Sequence, residues 1–101
     1  MDIWQHLEQQ ITQASGNAFH LNQNRSVGGG CINAAFRISD GRRNYFVKTN
    51  NAAYASMFEA EAEALGEMTS SATVRVPEPV CYGRHEDQCY IVMEYLELGG
   101  S

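Results

Sequence analysis

This chain is poor in positive charge. Seven lysines and arginines stand against twelve aspartates and glutamates in 101 residues, a formal charge of −5. A surface that neutralises nucleic-acid phosphates needs a basic patch. The one adjacent basic pair, Arg42-Arg43, follows Gly41 and reads as a solvated hairpin tip, so no nucleic-acid partner is expected. Long apolar runs are missing too: nothing approaches the roughly 20 residues of a membrane span, and no membrane partner is expected. The N-terminal stretch contains Asp2 and Glu8 and no basic residue before Arg25, unlike a secretory or transit segment, which makes the cytoplasm the expected compartment. Cysteine is scarce and unpaired in pattern. Cys31, Cys81 and Cys89 include no Cys-x-x-Cys, which excludes a zinc ribbon or a dithiol motif. His6, His20 and His85 stand in unrelated contexts without metal-ligand spacing and read as surface or half-buried structural residues. No metal site is expected in the chain.

What remains is enough for one core. The length is that of a single domain, and a hydrophobic fraction of 44% is ordinary for a globular one. Asp2 caps an expected first helix to about Ser15, in which Ile3, Leu7, Ile11 and Ala14 form one apolar stripe and Gly16-Asn17 ends it. This helix should pack on the outside of whatever follows. Phe19 to Val27 is a weak strand, plausible only at an edge. After Gly28-Gly29-Gly30, a clearer strand runs from Cys31 to Ser39, and Asp40-Gly41 marks a hairpin. The third strand is Asn44 to Thr49, with Phe46 and Lys48 on one face and Tyr45 and Val47 on the other. A second helix is expected over Tyr54–Met68. Past Pro77-Glu78-Pro79, the segments Val80–Gly83 and Gln88–Tyr95 form a last antiparallel pair, with Cys81 and Cys89 as buried strand residues. The expectation is an α+β domain: a five-stranded antiparallel sheet with one packed helix and an extra N-terminal helix.

The chain has a single lysine, Lys48, and it ends a hydrophobic strand. The next helix carries a carboxylate among its apolar residues. Glu61 lies three after Phe58 and four before Leu65, beside Ala62, so it shares their face. A carboxylate there is costly unless it meets a cation, and Lys48 is the natural candidate. At an effective dielectric near 20 the attraction is about 4 kcal/mol before desolvation. Glu59 is the rival for the same lysine. A strand lysine held by a helix glutamate is how kinases place an ammonium on nucleotide phosphates.

The glycine run fits this reading. A glycine hairpin lets amides approach phosphate oxygens without side-chain interference. Gly28–Gly30 lies between two strands, so it is neither a Walker loop nor the protein-kinase Gly-x-Gly-x-x-Gly. Its weight comes from standing eighteen to twenty residues before Lys48. Met93-Glu94-Tyr95-Leu96, at the end of the most apolar run, could present backbone groups to a planar base.

The order of these parts resembles the N-terminal lobe of the protein-kinase-like superfamily. Five blocks together resemble the fructosamine-3-kinase/ketosamine-3-kinase family more specifically: Gly28-Gly29-Gly30-Cys31-Ile32-Asn33, Tyr45 to Asn50, Met57 to Glu63, Val74 to Pro79 and Met93 to Leu96. The resemblance covers essentially the whole chain but only about the first third of such an enzyme. It implies a single ATP-binding lobe over residues 1–101, with the catalytic C-terminal lobe absent. It also implies an enzyme that phosphorylates fructosamines and ribulosamines, free or on proteins, with ATP and Mg²⁺, in repair of glycated proteins. Gly28, Gly29, Gly30, Cys31 and Ile32 would cover the phosphates, Lys48 would contact them, and Glu61 would hold Lys48. Backbone groups of Glu94 and Leu96 would bind adenine. Cys31 matches a cysteine that the family associates with redox-sensitive, disulfide-linked homodimers; an ordinary small residue at a strand start is the competing reading. The catalytic Asp and the Mg²⁺ ligands would lie beyond residue 101, so this chain should not turn over alone. Two alternatives remain: a free-standing, non-catalytic redox-dimerising module, and the lobe of an aminoglycoside- or choline-type kinase.

Overall fold

The computed structural model describes residues 1–27, 33–71 and 77–95. Helix α1 (Ile3–Ser15) is followed by strands β1 (Gln23–Ser26), β2 (Ala34–Ser39) and β3 (Asn44–Asn51). A single 3-10 turn (Ala52–Tyr54) leads into helix α2 (Ala55–Ser71), and strands β4 (Pro79–His85) and β5 (Gln88–Glu94) complete the fold. The five strands form one antiparallel sheet in the order β1-β2-β3-β5-β4. The expected α+β architecture is therefore present.

The sheet is covered on both faces. Strand side chains alternate between faces, and on one of them Ile38, Val47, Tyr90 and Val92 meet Leu7 and Ile11 of α1. On the other, Cys89, Ile91 and Met93 meet Phe58 and Ala62 of α2. Strand β5 is buried on both sides, which is why its sequence reads as a continuous apolar run rather than an alternation. Leu7 and Ile11 are fully buried, a contribution of about 1.5–3 kcal/mol each. The N-terminal helix is thus a second wall of the core, not a surface appendage.

Local chemistry sets the ends of α1. Asp2 accepts from the Gln5 amide and the Gln5 side chain returns a bond to the Asp2 amide, a reciprocal capping box. Gly16, at φ 77°, takes the left-handed conformation and its amide closes on Thr12. The chain then turns back along the helix: Phe19 N donates to Thr12 Oγ1 and Leu21 N to Glu8 Oε2. Phe19 is consequently a core residue and not part of β1, which is four exposed residues at the sheet edge.

Two further expectations are corrected. Arg43 is not a solvated hairpin residue. Its guanidinium donates to Ser15 Oγ, Tyr45 Oη and the carbonyls of Asn17 and Ala18, and pairs with Asp40 at 3.4 Å. The hairpin is thereby tied to the exit of α1, while Arg42 alone stays exposed. Cys89 is buried as expected, but Cys81 is only half-buried. Burial still pushes the Cys81 thiol up to about 11.

Candidate nucleotide site

Lys48 and Glu61 meet: Nζ donates to Oε2 at 2.5 Å. The strand supplies one partner and the helix the other. Lys48 leaves β3 on the α2 face, next to Phe46, and is registered against Ala35 of β2 and Ile91 of β5. Glu61 leaves α2 between Phe58 and Leu65, and both of these pack into the core beneath. Glu59 and Glu63 are exposed on the helix flanks, so the competition between Glu59 and Glu61 is decided by helical periodicity. The side chains of Lys48 and Glu61 keep 23% and 29% of their exposure. At that accessibility solvent screens most of the attraction, and the pair contributes on the order of 1 kcal/mol or less to stability. Its larger effect is positional: the ammonium has one place to be.

The residues that flank the glycine segment, Val27 and Asn33, are tied to the strands around this lysine. Val27 N donates to Ala35 O, and Ala35 is itself registered with Lys48. On the other side, Asn50 Nδ2 donates to Asn33 Oδ1 at 2.7 Å, tying the far flank to the strand two residues beyond Lys48. Gly28, Gly29, Gly30, Cys31 and Ile32 themselves lie outside the described residues, as does Leu96. The expectations for phosphate cover, for the Cys31 thiol and for the Leu96 backbone fall there. Glu94 ends β5, and its amide donates to Glu78 O at 2.9 Å, just ahead of β4, so that amide already has its acceptor.

Among the described residues, no three His, Cys, Asp or Glu side chains gather as metal ligands, and no helix is long and apolar enough to cross a membrane. One grouping was not legible in the sequence: His6 of α1 stacks on His85 of β4, and His6 Nε2 lies 2.9 Å from Tyr90 Oη. It stands on the opposite face of the sheet from Lys48.

The described residues thus form a five-stranded sheet walled by two helices, with a strand lysine clamped by a helix glutamate. The fructosamine kinase family model matches residues 3–101, and the chain belongs to that family. It is 46% identical to a probable ketoamine kinase of Synechocystis over 95% of this chain and 32% of the relative. It is 41% identical to a chloroplastic protein-ribulosamine 3-kinase of Arabidopsis thaliana over 85% of this chain and 27% of that protein. A crystal structure from Haemophilus somnus, assigned as a fructosamine-3-kinase, superposes with a TM-score of 0.88 at 26% identity, covering 93% of this chain and 32% of that one. The chain spans about a third of the length of the proteins it matches.

Proposed function

We propose that this chain is the ATP-binding, N-terminal lobe of a ketosamine kinase, a phosphotransferase acting on sugar–amine adducts in repair of glycated proteins. The observation that carries the reading is the Lys48–Glu61 contact. A lysine whose carboxylate partner fixes it on the sheet face holds an ammonium where phosphate oxygens can reach it, and an ammonium serves phosphates as a point charge. The tethered residues on either side of the glycine segment, Val27 and Asn33, support a phosphate cover by residues 28–32. Phe46 and Met93 on the same face would give a planar base an apolar wall, and the family resemblance assigns its polar edge to backbone groups of Glu94 and Leu96.

The reaction is transfer of the γ-phosphoryl group of ATP to a sugar hydroxyl, releasing ADP and the hydroxyl proton. ATP would be held by Lys48, and Mg²⁺ would neutralise its phosphates. The family resemblance assigns the Mg²⁺ ligands, and the group that takes the proton, to the C-terminal lobe of the full-length kinase. The relatives named ketoamine and ribulosamine kinases favour an amine-linked ketose over an aminoglycoside or choline as acceptor.

The test is a labelled-phosphate assay on a full-length kinase carrying this lobe, with a ribulosamine, a fructosamine, an aminoglycoside and choline offered separately. Transfer to the ketosamines alone, lost in Lys48→Met, is expected. Transfer only to an aminoglycoside or choline would overturn the assignment.

A further inference from the structure

We infer that Arg25 and Arg37 form a subsite for a phosphate-class dianion, on the same sheet face as Lys48 but separate from it. Arg25 of β1 and Arg37 of β2 are directly opposed across the antiparallel pair. Opposed side chains on one face have Cβ atoms about 5 Å apart, and like charges so placed destabilise the sheet. Among the described residues neither guanidinium forms an ion pair with a carboxylate, although the chain carries twelve acidic residues. Arg37 is instead held from beneath, its guanidinium 4.8 Å from the centroid of the Tyr95 ring, with Nη2 donating to Asn44 Oδ1 at 3.4 Å. Stacking of this kind fixes the plane of the fork and leaves its edge for an oxyanion.

The two arginines share a cleft of about 310 Å³ with Gln23, Asn24 and Ser39. Among the described residues its lining is polar and neutral apart from the guanidinium pair, so an anion would meet two positive forks with amide and hydroxyl donors beside them. Two guanidinium charges match a dianion, and forked donors match paired oxygens. The site is not the Lys48 position. Arg37 registers with Phe46 and Lys48 with Ala35, which puts the two rows about 7 Å apart along the strands. Anion binding by the arginine pair therefore does not depend on whether Lys48 serves a nucleotide.

The test is a titration of the 101-residue chain with inorganic phosphate, at ionic strength held constant with chloride, followed through arginine side-chain Nε–H and backbone amide resonances. Saturable shifts at Arg25, Arg37 and Ser39 are expected, weakened about tenfold in Arg25→Gln and unchanged in Lys48→Met. A sugar phosphomonoester run in parallel separates the sources: tighter binding than phosphate marks a site for an ester, equal binding a site for the bare ion. Stability supplies a second readout. Without phosphate at low salt, Arg25→Gln should raise the melting midpoint by about 1–4 °C, because the opposed charges are gone. With phosphate the order should reverse. Linear shifts that chloride reproduces, or a phosphate response that survives in Arg25→Gln, would overturn the subsite.

Discussion

The imidazoles of His6 and His85 stack with ring centroids 4.6 Å apart and planes 25° from parallel. One belongs to α1, the other to β4. Both are hydrogen-bonded: His85 Nε2 donates to Met1 O, and His6 Nε2 meets Tyr90 Oη. The seam between α1 and the β4–β5 hairpin therefore favours a neutral His6. Burial, and then the charge of His85, hold His6 below the ordinary histidine value of 6.5.

Acid should loosen this seam. A depressed native value means that the unfolded chain binds the proton more readily, so stability is complete above about pH 6.5 and is lost as pH falls through the lower native value. Glu86, 4.0 Å from His85, is the acidic group at the seam and is largely exposed, so it offsets little of the repulsion. Melting curves between pH 7.5 and 5 should fall in wild type and flatten in His6→Gln. Equal slopes would remove the stacked pair as the cause.

Gly83 is opposite Tyr90 in the β4–β5 register, and a Cβ there would lie 2.9 Å from the Tyr90 hydroxyl and 3.3 Å from its Cζ. Tyr90 is 2% exposed and its hydroxyl already bonds His6, so the ring has little room to yield. Gly83→Ala should cost about 1–3 kcal/mol in denaturant unfolding. Burial pushes the Tyr90 phenol up to about 12, so the same variant should bring its ionisation back toward 10.0 in an ultraviolet titration. An unchanged titration would mean that the ring had not moved.

Arg43 joins the β2–β3 hairpin to the end of α1 through one planar fork. Its Nη2 reaches the Ala18 carbonyl at 2.7 Å, and its Nη1 reaches Ser15 Oγ at 3.1 Å. Arg43→Ala should destabilise by about 1–3 kcal/mol, and Arg43→Lys should recover little, since an ammonium cannot span the same acceptors. Full recovery by lysine would reduce the role to charge alone. Hydrogen exchange at Phe19 and Leu21, whose amides bond α1 side chains, should rise with the loss.

The features legible in the sequence are those in which local pattern and burial agree. Glu61 shows itself because a carboxylate stands on the Phe58–Ala62–Leu65 stripe, and a stripe has only one face. The run Tyr90-Ile91-Val92-Met93 announces a strand buried on both sides. The misreadings share another cause. Arg43 looks like a hairpin tip because its acceptors, the carbonyls of Asn17 and Ala18, sit more than twenty positions earlier in the chain. His6 and His85 look unrelated because only the packing of α1 against the sheet brings them together. Phe19 looks like strand, but the left-handed exit at Gly16 sends it into the core first.

The clamp itself is open to direct measurement. MgATP can be titrated into the 101-residue chain, its Glu61→Gln variant and its Lys48→Met variant, following amides of Ala35, Phe46, Lys48 and Met93. Wild type should saturate with a Kd on the order of 1 mM, a contact of about 4 kcal/mol fitting half a site. Both variants should bind at least tenfold more weakly while keeping the fold. Equal saturation in all three proteins, or shifts that avoid these four residues, would contradict a nucleotide held by Lys48 in the grip of Glu61.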